Sequence, residues 1–156
     1  MAIAIRLARD KDCAAIARLR RHTIRHVNSR DYSAEVIRGW AARVSAASLR
    51  ASTDRCKRWV AFDLGRIVGF CEHTFDGELS RIYVHKDYLG KGLGSRLLGF
   101  AEASLRKLGC ERIWLDATVT AKDFYLANGY EVVRKASYGG NKSEPIYKMR
   151  KSFSSR

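Results

Sequence analysis

The run from Tyr88 to Gly94 places three glycines at alternate positions, Gly90, Gly92 and Gly94, directly ahead of a helical pattern. Glycines let a backbone enter left-handed turns and approach a ligand closely, while the first N–H groups of the following helix have no internal acceptor. That is an anion cradle: a helix N-terminus carries about half a positive charge and several free donors, which suits a pyrophosphate, and Lys91 adds a cation beside it. A tight strand-to-helix connection uses similar residues, so the place in the chain has to separate the two readings. A dinucleotide fingerprint would sit in an N-terminal strand-helix-strand unit with an acidic residue about 20 positions on. Here the glycines lie mid-chain behind an expected antiparallel meander, and no Gly-Lys-Ser/Thr run follows to make a P-loop. The loop is expected to hold phosphates in some other architecture.

The remaining reactive side chains narrow the chemistry. His22 and His26 stand one helical turn apart, but neither a third ligand nor a catalytic glutamate accompanies them, so they read as surface histidines. Cys13, Cys56, Cys71 and Cys110 are scattered without a C-x-x-C pair, which predicts free thiols in a reducing cytosol and neither a zinc site nor a disulfide scaffold. No metal is expected. The N-terminus lacks a charged start followed by a long apolar run, so neither secretion nor a membrane span is expected.

The elements that must position these residues follow from periodicity. The 156 residues are about one domain long, with 46% hydrophobic composition for one core, expected over about 3–150. A short strand over 2–8 precedes a helix from about Lys11 to Val27, with Asp10 as its cap and Ile16, Leu19, Thr23 and Val27 along its apolar stripe. A second helix begins after Ser33 and fades before Asp54. Strands over 58–64 and 67–74 form a hairpin at Gly65-Arg66, and a third strand runs over 78–85. The glycine loop, a helix over 95–108, a strand over 112–119, a short helix over 121–128 and strands over 131–138 and 145–153 complete the chain. Such alternation predicts an α/β or α+β domain with a mixed sheet covered by helices on both faces.

The run from Glu78 to Leu98, ELSRIYVHKDYLGKGLGSRLL, resembles the GNAT superfamily of N-acetyltransferases: a strand ending Ile-Tyr-Val, a short turn, the glycine loop and an amphipathic helix. Residues 121–130, AKDFYLANGY, are similar to the second motif of that family. The resemblance implies an acyl-CoA N-acyltransferase fold, a central, mostly antiparallel sheet of about seven strands flanked by about four helices. It also implies acetyl-CoA as co-substrate. The backbone of Ile82, Tyr83 and Val84 would pair with the pantetheine arm, and Leu89, Gly90, Lys91, Gly92, Leu93, Gly94 and Ser95 would wrap the pyrophosphate. Two positions depart from the family pattern: Leu89 stands where Gln or Arg is usual, and Thr118 where Asn often precedes the second motif.

For the chemistry, an alkyl ammonium with a pKa of about 10.4 must lose a proton before it can attack, the oxyanion needs a donor, and the departing thiolate needs a proton or a hydrogen bond. The second motif implies Tyr125 beside the coenzyme sulfur for the last role; for the oxyanion, a backbone N–H at Val84 or its neighbour is expected to be available because the sheet of such a fold would splay open after this strand. Glu78, Glu72 and His73 are candidates for the base. Strand alternation sets Glu78 and Ser80 on the face of Ile82 and Val84, which favours Glu78 unless a bulge intervenes.

The acceptor is left open. Net charge is +14 and pI about 10.1, and the first sixty residues hold 14 Lys or Arg against 5 Asp or Glu. In the leading reading the acceptor is a primary amine of a small molecule or peptide and this surface mainly attracts the coenzyme's phosphates; the alternative is a nucleic-acid-borne amine such as aminoacyl-tRNA docked on the arginine-rich N-terminal helix. A non-enzymatic coenzyme-A-binding module is the third reading. Monomer and homodimer are both compatible with the sequence.

Overall fold

The computed structural model describes residues 3–153. Strand β1 (Ala4–Leu7) leads through a single turn of 3-10 helix into α1 (Cys13–His26). Asp12 rather than Asp10 organises this entry: its carboxylate accepts from the Arg9 N–H and pairs with the Arg6 guanidinium at 2.8 Å. The stripe expected from periodicity is the one that α1 buries, with Ile16, Leu19, Thr23 and Val27 all in the interior.

The second predicted helix is two helices, α2 (Ala34–Ala42) and α3 (Ala46–Ala51). Ser33 caps α2 by accepting from Val36 N–H, and Ser45 starts α3 by accepting from Ser48 N–H. A serine can leave helical geometry to satisfy the free donors of a new first turn, and that local competition breaks the apolar stripe.

Strands β2 (Cys56–Asp63) and β3 (Arg66–Thr74) pair antiparallel around a turn at Leu64-Gly65, both with positive φ. Then come β4 (Leu79–Val84), α4 (Leu93–Lys107), β5 (Arg112–Thr118), α5 (Lys122–Ala127), β6 (Glu131–Ser137) and β7 (Pro145–Ser152). The strands form two antiparallel sheets, ordered β1-β2-β3-β4 and β5-β7-β6. They meet where β4 and β5 run parallel, through one bridge between Glu78 and Trp114, with Trp114 N–H donating to Gly77 O at 3.1 Å. Beyond that bridge the two strands part.

One face of the divided sheet packs on α4 through Cys71, Leu97, Leu105, Ile113, Leu115 and Met149. The other packs on α1 to α3, with Ile16, Leu49 and Phe70 fully buried. At the second face Glu72, wholly buried, binds Arg58 Nε and Arg81 Nη1, each at 2.6 Å. Arg58 also donates to Leu49 O and Ser52 Oγ, so one carboxylate ties the end of α3 to β2, β3 and β4. Burial pushes the Glu72 carboxyl up, but the two guanidiniums outweigh it and hold its pKa below the ordinary value.

Breaking such a buried pair from one side costs about 3–5 kcal/mol, because the remaining charge stays desolvated. Glu72→Gln is expected to lose stability on that scale in urea unfolding. Because the folded-state pKa is depressed, the contribution of Glu72 is complete above its unfolded value of about 4.3 and is lost as pH falls through the lower folded value. Acid titration of unfolding free energy in wild type should show that loss, and Glu72→Gln should lack it.

Candidate active site

The parting of β4 and β5 opens a cleft of about 1170 Å³. Its most consequential wall is the free edge of β4. His85 N–H donates to Val68 O on β3 at 2.9 Å, and Tyr83 stands opposite Phe70 in the same phase of the ladder. Amide directions alternate along an antiparallel strand, so Ile82 and Val84 turn their N–H and C=O groups away from β3, toward the gap that β5 has left. Such an edge accepts an extended chain.

At the end of β4 the glycine loop turns into α4. Gly90 and Gly92 have φ of 70° and 82°, left-handed conformations that explain glycine there; a Cβ on either would meet nothing within 4 Å. Gly94 is glycine for another reason, since its Cβ would lie 2.9 Å from Phe124 Cε1. The first helical bond is Arg96 N–H to Gly92 O, which leaves the N–H groups of Leu93, Gly94 and Ser95 free at the mouth of the cleft. Tyr88, hydrogen-bonded to the Asp63 carboxylate, anchors the loop to the end of β2. Leu89, Gly90, Gly92, Leu93, Gly94 and Ser95 all line the cleft. Lys91 does not; it is exposed, with its ammonium 5.6 Å from the centre of the Tyr88 ring.

Helix α5 brings in Tyr125, whose ring packs edge-on against Phe124 and Tyr130. Only 6% of the residue is exposed, it borders the cleft, and its hydroxyl makes no hydrogen bond to another described residue. Burial, reinforced by nearby Tyr83 and Cys71, pushes the phenol above its ordinary pKa and keeps it protonated. Thr118 at the end of β5 lends its hydroxyl to the Ala121 N–H at the start of α5, so this side chain positions the helix that carries Tyr125.

The three candidate bases have different surroundings. His73 lies on the α4 face, with its ring nitrogens engaged by Thr74 O and Ser104 Oγ and its pKa lowered by burial. Glu72 is held in its ion pairs. Glu78 lines the cleft, has no ion-pair partner among the described residues, and has its pKa raised by burial first and by Asp116 and Asp76 second. The expected face of Glu78 is corrected by a bulge: His73 pairs with Leu79 while Glu72 pairs with Arg81, so Ser80 is an extra residue. Leu79 thereby joins Ile82 and Val84 on the α4 face, and Glu78 is set on the other.

Sequence reasoning missed most of that other side. Tyr138 and Glu144, from the segment joining β6 to β7, converge there with Trp40 of α2. Glu144 accepts from the Trp40 indole and lies 3.6 Å from Arg43, and the Tyr32 ring packs at a tilt of 55° against Trp40, with ring centres 4.6 Å apart. Arg20 and Thr23 of α1 and Asp116 of β5 complete the wall. No local spacing announces these residues, because segments about a hundred positions apart meet only in the fold.

The split sheet, the helix N-terminus at its mouth and the buried phenol define the architecture of an acyltransferase, and the comparisons agree. Residues 28–152 match the family described as Acetyltransferase (GNAT) domain. A GCN5-related N-acetyltransferase from Rhodopseudomonas palustris superposes with a TM-score of 0.90 at 26% identity, covering 98% of this chain and 97% of that one. The PaiA N-acetyltransferase of Thermoplasma acidophilum, solved in complex with coenzyme A, gives 0.82 at 25% identity, over 98% and 100% of the two chains. YncA of Salmonella typhimurium, solved with its cofactor acetyl-CoA, shares the fold at 0.73 and 23% identity, over 100% and 96%. No curated protein matches the chain. The chain belongs to the GNAT acetyltransferase family and is an acyltransferase.

Two glycines of α4 separate the effect of a methyl group at the site from its effect on a helix. Gly94→Ala meets the Phe124 ring and is expected to cost about 1–3 kcal/mol as overpacking. Gly99→Ala, where nothing lies within 4 Å, should instead gain about 0.5–1 kcal/mol from helix propensity. Urea unfolding of the two variants reads the opposite signs.

Proposed function

We propose that the protein, as one domain, transfers acetyl from acetyl-CoA to a primary amine of a small molecule or peptide by direct attack on the thioester. The observation that carries this reading is the convergence on one cleft of the free amide edge at Ile82 and Val84, the open N-terminus of α4, and the Tyr125 phenol, which has no hydrogen-bond partner among the described residues. These features fit acetyl-CoA: the edge accepts a pantetheine arm, and the free N–H groups of Leu93, Gly94 and Ser95 face a pyrophosphate. Acetyl-CoA supplies the acyl group already activated as a thioester, so the proposed reaction draws on no metal ion.

The residues then divide the work. Glu78, with its raised pKa, takes a proton from the acceptor ammonium, directly or through water. The Val84 N–H donates to the carbonyl oxygen as negative charge develops there. Tyr125 donates its proton, or a hydrogen bond, to the departing sulfur. A cytoplasmic location is part of the proposal, with the four cysteines as free thiols.

A second reading keeps the chemistry and places the amine on nucleic acid. It is favoured by Arg18, Arg25, Arg38, Arg50 and Arg55, which are exposed on or beside α1 to α3 without an ion pair among the described residues. Such a surface follows phosphates.

Tyr125→Phe keeps the ring and removes the hydroxyl. Single-turnover transfer at saturating acetyl-CoA is expected to slow by about 10²- to 10⁴-fold with Kd for the coenzyme little changed. Equal rates would return Tyr125 to the role of a core aromatic. Glu78→Gln tests the base. Because its carboxyl pKa is raised, kcat/KM in wild type should fall on acidification at a pH above the ordinary carboxylate value of about 4.3, and the variant should lose that limb along with about 10²- to 10⁴-fold in rate. A limb that persists in Glu78→Gln assigns the base elsewhere.

A further inference from the structure

Four buried side-chain polar atoms among the described residues have no hydrogen-bond partner: Arg20 Nε, Thr23 Oγ1, Ser80 Oγ and Tyr130 Oη. Three of the four belong to residues that wall the active-site cleft. Arg20 and Thr23 are three residues apart on one face of α1, and Ser80 is the bulged residue of β4 in the lining of the same cleft. Folded proteins leave few such groups orphaned, and a cluster of them around one cavity points to a partner that belongs in the cavity.

The types of atom say what that partner is. A guanidinium only donates, so whatever satisfies Arg20 must accept, and both hydroxyls can donate to the same kind of group. Charge gives the sign. Around the cleft, Glu72 is matched by Arg58 and Arg81, Asp116 by Lys148 at 2.8 Å, and Glu144 by Arg43, while Glu78, immediately before β4, is the lining carboxylate without an ion pair among the described residues. Arg20 has no carboxylate partner among the described residues; its guanidinium carbon lies 5.6 Å from the centre of the Tyr83 ring. Thr23 is 94% buried beside it, in the same wall. The α1 side of the cleft therefore holds an unbalanced cation with a hydroxyl next to it, a setting for the oxygens of an anion.

We infer that the acceptor amine carries an anionic group, a carboxylate or a phosphate, seated against Arg20 and Thr23. This deepens the proposed amine acetylation and rests on it: the anion anchors the molecule on α1 while its amino group reaches Glu78 on the strand opposite. An acceptor of that kind is an amino acid or an amino phosphate, not a simple alkylamine.

The test measures kcat/KM of the full chain with acetyl-CoA for two matched pairs: L-phenylalanine against phenethylamine, and O-phosphoethanolamine against ethanolamine. Wild type is expected to favour the anionic member of one pair by about tenfold or more, and the pair that responds identifies carboxylate or phosphate. Arg20→Gln should bring that ratio to within about twofold of unity, through KM of the anionic member, while Arg20→Lys retains part of it. Arg134→Gln, a change of the same charge on exposed β6, should leave the ratio intact. Equal use of both members by wild type, or a preference that survives Arg20→Gln, overturns the inference and leaves amine acetylation standing. Bound acetyl-CoA with no transfer to any of the four, nor to a broad panel of amines, overturns the acetylation reading and this inference with it.

Discussion

The separation of β4 from β5 is the constraint on which everything else rests. Two neighbouring parallel strands would ordinarily continue their ladder, yet here a single bridge at Glu78 and Trp114 joins them before they diverge. Divergence leaves peptide groups on β4 without partners, and unpaired groups in a part-buried cleft are costly unless water or a ligand meets them. The chain places the N-terminus of α4 at one end of this gap and the Tyr125 phenol on its wall, so the unsatisfied edge, the free helical donors and a buried phenol share one space. The bulge at Ser80 lies close to the fork, where it reverses the facing of the residues before it.

Two carboxylates on adjoining strands show how position decides chemistry. Glu72 and Glu78 are both strand-region glutamates in a basic protein, and both lose hydration on folding. Two guanidiniums surround Glu72 and keep it ionised as a brace between α3 and three strands. Glu78 has other carboxylates for neighbours instead, and its charge is disfavoured. One group is spent on architecture and the other is left free to exchange a proton.

The parts of this arrangement that could be read from the sequence are those set by local rules. The glycine loop was legible because left-handed φ at Gly90 and Gly92 and the free N–H groups of a helix start are properties of a few consecutive residues. The stripe of α1 was legible through its period, and Tyr125 through the spacing of its motif. The face of Glu78 was not, because the bulge arises from the register between β3 and β4, which no alternation rule within one strand contains. Nothing local to Glu72 separates it from a candidate base, because the Arg58 that holds it comes from a strand fourteen residues away. The division of α2 from α3 turned on Ser45 competing for its own cap, against an apolar pattern that ran on through it. The wall formed by Arg20, Trp40, Tyr138 and Glu144 depends on chain segments that only the fold brings together.

The single bridge also governs how the two halves of the molecule are coupled. Within each sheet, strands are held by continuous ladders of hydrogen bonds. On the α4 side the connection is apolar: Cys71, Leu79 and Val84 from one half meet Ile113, Leu115 and Met149 from the other across the side chains of α4. On the α2 side it is polar, with the Tyr32 hydroxyl donating to Pro145 O and the Trp40 indole donating to Glu144. Apolar attraction weakens on cooling. The two sides of the seam therefore respond differently to temperature, and chilling loosens the halves along α4 while the polar contacts on the α2 side still hold them.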